Sequence, residues 1–245
     1  MSWELPEPAP WIADLPRDRR GFPAPAEAGW QDGEPILSKV ATDRKVALGV
    51  HRACAVCGYE LPTGNTVYRA FAQSDAAHMR MYERERSHDL AGPLHLSCVL
   101  YSAMACPYLR EKKSRLGGGN EINPGGRRGT RAAIMGFADF GLMVYAGPHQ
   151  FLDPNAPIPM FAYLGLVEDI GYRDGRELQE RYEQAVIADT TVIDTSKPRL
   201  YWTDAEADRR QLVQALRSSF QTLQRSEPAF HQTVIGQGRY VAHVM

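Results

Sequence analysis

The chain has 245 residues, 44% of them hydrophobic, and a formal net charge of -1. That length holds one large domain or two small ones around a real core, and the balanced charge argues against a protein that coats nucleic acid with its whole surface, leaving local patches open. No run of about 18 apolar residues marks a membrane span, and MSWELPEPAP lacks a basic region followed by an apolar run, so a cytoplasmic location is expected.

Residues 1–35 carry seven prolines: Pro6, Pro8, Pro10, Pro16, Pro23, Pro25 and Pro35. Such a segment has few backbone donors and prefers extended conformations. It is expected to be an extended arm over the folded body, anchored by Trp3, Trp11 and Trp30, or to be partly disordered. A partner-binding polyproline arm is disfavoured, because no Pro-x-x-Pro with a flanking basic residue repeats.

Residues 36–50 predict a short helix. Residues 59–73 predict a hairpin, with Thr63-Gly64-Asn65 as the turn and TVYRAFA as β-prone sequence after it. Residues 74–92 read as a short helix plus loop. From Leu94 to Met104, apolar residues recur at helical spacing, and Pro107 ends that helix. Residues 110–131 (REKKSRLGGGNEINPGGRRGTR) hold seven basic and two acidic residues, a local charge of +5, and predict a linker. Ala132–Tyr145 and Met160–Ile170 predict strands. Asp174 and Glu177 predict a capping box ahead of a helix burying Leu178, Tyr182, Ala185 and Val186. A third strand is expected through Thr191–Ile193. Thr203 and Glu206 predict a second box, opening a helix that buries Leu212, Val213, Leu216, Phe220 and Leu223 and stops before Pro228. One strand is expected after it, in TVIG or RYVAHVM.

One chemical signal stands out. Cys54-Ala-Val-Cys57-Gly58 is answered 37 residues later by His95-Leu-Ser-Cys98. Two pairs of soft ligands at gripping distance read as one tetrahedral zinc site, Cys54, Cys57, His95 and Cys98. In a chain with no export signal, this spacing favours metal over disulfides. Gly58 can take the positive φ of a tight knuckle. His95 and Cys98 share a face in the first turn of their helix, whose N-terminus favours thiolate. Knuckle, hairpin and a helix whose first turn supplies the second pair is the layout of a treble-clef finger. Four protein ligands make a closed, structural site. Cys106 lies about 12 Å further along the helix axis and is expected to be a buried structural thiol. It is the alternative fourth ligand. His51 would overfill the ion.

These residues carry a resemblance. LPRDRRGFPAP, CAVCGYEL and PLHLSCVLYSAMACPYL resemble an uncharacterised family of small bacterial and phage proteins. Its pattern is an Arg-Arg-Gly-aromatic-Pro run, a Cys-x2-Cys-Gly knuckle and a Pro-x-His-x2-Cys helix ending in Ala-Cys-Pro-aromatic-Leu. The matching positions are Arg19, Arg20, Gly21, Phe22 and Pro23; Cys54, Cys57 and Gly58; and Pro93, His95, Cys98, Ala105, Cys106, Pro107, Tyr108 and Leu109. The match covers about residues 15–110 and extends weakly through YLGLVEDIGYRDGRELQERYEQ. Where members carry a Gly-Pro-Met-Cys-like stretch between the ligand pairs, this chain has SDAAHMRM, without the cysteine. The resemblance implies zinc and brings no activity.

Other chemistry finds little support. Residues 110–131 could track a phosphate backbone, with Arg127 and Arg128 contributing, but no aromatic residue is interleaved for base stacking, and a solvated connector is expected. His78, His88 and Asp89 make up no complete nuclease centre, since the helix offers no second ligand. There is no Gly-x-Ser-x-Gly elbow, and the glycines at 117–119 and 125–129 lack the Lys-Ser/Thr of a phosphate loop. Cys106 has no obvious base beside it. No catalytic and no organic-cofactor residue is assigned.

The expected fold is α+β, in four parts. Residues 1–35 form the arm and 36–110 a treble-clef-like zinc-binding module. Residues 111–131 form the basic glycine-rich linker, and 132–245 a small antiparallel sheet with two packed helices. The expected function is a non-enzymatic, zinc-stabilised binding or accessory protein with a protein partner; nucleic acid through the linker remains open. The competing class is a zinc-containing hydrolase acting on nucleic acid.

Overall fold

The computed structural model describes residues 4–81, 87–118, 124–146, 158–234 and 238–245. Trp3, the centre of the basic segment at 119–123 and part of TVIG lie outside the described residues.

The arm packs on the body. Helix α1 (Pro10–Ala13) has proline in its first turn, where a missing N–H costs nothing, and it buries Trp11 and Ile12. Trp11 Nε1 donates to Ser97 Oγ (3.1 Å) and the Ala9 N–H donates to the Tyr182 hydroxyl (2.7 Å). Strands β1 (Ala28–Gln31) and β2 (Glu34–Val40) then pair as a hairpin. Its two-residue turn, Asp32-Gly33, has φ of 53° and 82°, the primed geometry that matches strand twist. The helix expected over 36–50 is therefore confined to α2 (Thr42–Val50). Pairing with β1 claims the chain up to Val40, and the Ala41 N–H is taken by the Glu27 carbonyl (2.9 Å).

Next come β3 (Val67–Phe71), α3 (Gln73–Met81), β4 (Ser87–Asp89), α4 (Leu96–Ala105) and α5 (Pro107–Arg110). The second half supplies β5 (Ala132–Tyr145), β6 (Met160–Tyr172), a 3-10 turn (Gly175–Leu178), α6 (Gln179–Asp189), α7 (Glu206–Arg225), β7 (Phe230–Val234) and β8 (Gly238–Val244). All strand pairs are antiparallel, so the fold is mixed α/β. β5 is the axis. β6 runs along one edge; β3 takes the first half of the other edge and β8 the second. The near-continuous apolar run of β5, buried almost throughout, is what a strand covered on both faces requires.

Several expectations change. The 59–73 hairpin is absent: Gly64 turns the chain, but β3 pairs with β5 and, at Tyr68, with Leu94. β4 likewise pairs with β6. Two strands from the expected zinc module thus belong to the sheet of the second half, and one core joins Trp11, Cys54, Val99, Phe140 and Tyr163. Thr191–Ile193 is a turn, not a strand, with the Val192 and Ile193 N–H groups on the Asp189 carbonyl. The tail forms two strands rather than one. Glu177 accepts from the Arg173 N–H rather than closing back on Asp174, and Asp208, not Glu206, pairs with Thr203. Val213 is exposed, while Leu212 and Leu223 are buried. No described helix is long and apolar enough to cross a membrane.

Beside the knuckle, Glu27 Oε2 accepts from the Gly92 N–H (2.9 Å), and Lys45 Nζ donates to the Pro159 carbonyl (2.5 Å). Burial, opposed by the charge of Arg69, pushes the Glu27 carboxyl up to about 7; burial also pulls Lys45 down to about 8. The folded value of Glu27 lies above its unfolded one. Its contribution to stability is thus fully present below about 4.5 and lost as the pH rises through about 7. Glu27→Gln keeps an acceptor for Gly92. Urea unfolding should show it roughly 2–3 kcal/mol more stable than wild type near pH 8 and within about 1 kcal/mol of wild type near pH 5. An equal shift at both pH values would contradict the account.

Candidate metal centre

The knuckle is built by backbone bonds. α2 ends at His51, and Arg52 turns the chain with φ 47°. Ala53 and Glu60 then bridge, the Cys54 N–H donates to Tyr59 O (2.8 Å), and the Gly58 N–H donates to Cys54 O (2.9 Å). Gly58 sits at φ +74°, and a Cβ there would lie 2.2 Å from the Leu200 carbonyl oxygen. That close approach lets the Leu200 N–H donate to Gly58 O (2.8 Å), so the stretch after α6 clamps the knuckle.

The second pair is held as firmly. Tyr68 and Leu94 exchange both backbone bonds, and Pro93 O accepts from the Ala55 N–H (3.0 Å). His95 is the N-cap of α4, with extended φ and ψ, rather than a residue of its first turn. Cys98 is the third helical residue. The N–H of Ser97, which has no partner within the helix, is met by the buried carboxylate of Asp189 (2.8 Å).

Sγ of Cys54, Cys57 and Cys98 and a ring nitrogen of His95 lie within 4.8 Å of one another, all buried. Cys57 Sγ is 3.4 Å from His95 Nδ1, close to the edge of a tetrahedron with ~2.0–2.3 Å bonds. The set as a whole is wider than the about 4 Å such a tetrahedron needs. The other His95 nitrogen, Nε2, is 2.9 Å from the Glu60 carbonyl, so it carries the proton and leaves Nδ1 free to ligate.

Burial disfavours charge on all four groups. Even so, hydrogen bonds from Cys57 and Cys98 and the charge of His95 hold the Cys54 thiol well below its ordinary value. Against burial, that thiolate holds His95 well above its own. Cys57 and Cys98 are pushed up, by burial first and then by hydrogen bonds and charge from neighbouring cysteines. A divalent cation would replace the remaining protons, so the donor set fits a metal ion.

The other sequence candidates fall outside this group. Cys106 is the C-cap of α4 and half-buried, not buried as expected, because the helix stops one residue before it. His51 is exposed. Asp89 pairs with Arg69 (2.7 Å), and the His78 and His88 rings meet edge-on, with centroids 6.4 Å apart. Among the described residues they join no second cluster of metal-ligating groups. The sequence did not point to Glu60, Asp189 or Leu200. Each acts through the backbone or from a distant segment, and no local pattern marks it.

His95→Ala should therefore lower metal affinity by at least about 100-fold, measured by competition with a chromophoric chelator. Cys106→Ser should leave affinity unchanged and cost no more than about 1 kcal/mol, since a half-exposed hydroxyl finds water. The reverse pattern would place Cys106 in the site.

No family model, curated protein or solved structure matches the chain.

Proposed function

We propose that the chain is a zinc-stabilised binding or accessory protein, with one structural Zn2+ held by Cys54, Cys57, His95 and Cys98. The arrangement is treble-clef-like in the order of its parts: knuckle, strand β3, then a helix whose N-terminus brings the second pair. The zinc hairpin of such a finger is here opened out, its strands recruited by the larger sheet.

The observation that carries the reading is the closed donor set. Three thiols and an imidazole nitrogen converge from two elements, and the three cysteines belong to the main hydrophobic core. Soft thiolates with imidazole suit zinc, and four protein ligands leave no position for water or substrate. Beside His95 opens a cleft of about 230 Å³, bordered by Tyr68, Leu96, Asp189 and Val192. Asp189 is already engaged by the α4 N-terminus, so it is a poor general base.

Cobalt(II) substitution tests closure. The tetrahedral cobalt spectrum should not change when azide or cyanide is added. A shift on adding either anion would show an open coordination position and favour a hydrolytic centre instead.

A further inference from the structure

The basic segment is not a connector. The Lys113 N–H donates to Gly129 O (3.0 Å), Arg128 to Ser114 O (3.0 Å), Leu116 to Gly126 O (2.9 Å) and Gly125 to Gly117 O (3.3 Å). These bonds make a two-stranded antiparallel ribbon with Arg115 opposite Arg127. The bonds from Leu116 and Arg128 flank that pair without joining it. Arg115 and Arg127 are thus a non-hydrogen-bonded pair, the kind whose side chains stand closest, with Cα atoms about 4.5 Å apart.

The period of two sorts the ribbon into faces. Ser114, Leu116 and Arg128 alternate inward, half-buried or buried; Arg115 and Arg127 alternate outward and are exposed, and Lys113, a turn residue with φ 58° at the ribbon's base, is exposed too. Arg128 pins the root. It is fully buried, donates to Leu109 O (2.8 Å) and Arg173 O (2.7 Å), and lies over the Tyr172 ring at 4.9 Å. Of the two arginines the sequence marks as backbone contacts, Arg128 is thus structural and Arg127 is available.

Like charges directly opposite across two strands repel. Nearby, Arg110 is paired with Glu111 and Lys112 with Asp174. Among the described residues, no carboxylate pairs with Lys113, Arg115 or Arg127. Arg115 Nε donates to Gly125 O (3.1 Å), which uses one of its five donors. A Cβ at Gly117, Gly118 or Gly125 would meet nothing within 4 Å, so the backbone there can be approached closely. Three exposed cations on one short ribbon, with no carboxylate partner among the described residues, suit a polyanion. A two-stranded ribbon is also an element that the major groove of a duplex admits. The missing aromatic residues point to phosphate rather than base contacts.

We propose that Lys113, Arg115 and Arg127 bind the phosphate backbone of double-stranded nucleic acid without regard to sequence. This gives the binding role proposed above a partner class and rests on that role, while the ion is read out separately.

Fluorescence anisotropy of the full chain on a random duplex of about 24 base pairs tests it. Three phosphate contacts give a log–log salt slope near -2.7, so affinity should fall roughly 40-fold from about 50 to 200 mM salt. R115Q/R127Q retains one contact. It should bind more weakly throughout, with a fall of only about 3.5-fold over the same range. Removing a like-charge pair should not lower its melting temperature; if it does, R127Q alone is read. R209Q, exposed on α7, should bind as wild type. No binding at about 50 mM salt, an unchanged slope in the double variant, or preference for single strands over the duplex would overturn the proposal. Failure with one zinc per chain would sink the ribbon alone.

Discussion

Cys57→Ser is expected to lose both the metal and the folded state. Cys57 is fully buried at the centre of the donor set, 3.4 Å from His95 Nδ1. A structural zinc supplies on the order of 10–16 kcal/mol of folding free energy, as much as the whole net stability of a typical domain, about 5–15 kcal/mol. Serine is a far weaker zinc ligand. Its substitution also leaves Cys54, His95 and Cys98 as buried polar groups with neither ion nor full hydrogen bonding. The purified variant should hold well under one zinc per chain, and its cooperative thermal transition should be gone. A metal-free variant that melts like wild type would show that the cluster packs without an ion.

Gly58→Ala is expected to be nearly as damaging, for a backbone reason. Its φ of +74° costs an L-residue about 1–2 kcal/mol. The new Cβ would also lie 2.2 Å from Leu200 O, a backbone atom fixed by its own residue's bond to the knuckle. Together these should cost roughly 3–5 kcal/mol in urea unfolding with zinc present. Gly64→Ala provides the comparison. Gly64 has φ +86° and open space around it, so the conformational cost of about 1–2 kcal/mol should appear alone. Equal effects at the two glycines would mean that the Leu200 clamp contributes nothing.

Sequence made some of this legible for physical reasons. The apolar run of β5 and the 3.6-residue period of α7 are local signals, and both elements stand where that periodicity puts them. The four metal ligands were readable because Cys-x2-Cys and His-x2-Cys each grip from one short turn. Asp32-Gly33 between Trp30 and Ile36 was equally local and marks a hairpin; it was submerged in the proline-rich composition around it. What could not be read was long-range. β3 offers its edge to β5, with Val67 opposite Phe137 and Phe71 opposite Ala133, rather than to its own neighbour, because β5 carries a long edge that β8 covers only in part. The basic segment counted as a loop by composition, yet alternation inside it, together with carbonyls as distant as Arg173, turned Arg128 inward. Cys106 was placed in the core by continuing its helix one residue too far.

The central claim is that Cys54, Cys57, His95 and Cys98 together hold one closed zinc ion on which the fold depends. Zinc K-edge X-ray absorption on the purified chain, at a stoichiometry fixed by elemental analysis, tests it most directly. The account predicts one zinc per chain, with three sulfur ligands near ~2.3 Å and one nitrogen near ~2.0–2.1 Å. A first shell of four sulfurs, which would bring in Cys106, a shell with bound water, or a folded chain without zinc would contradict it.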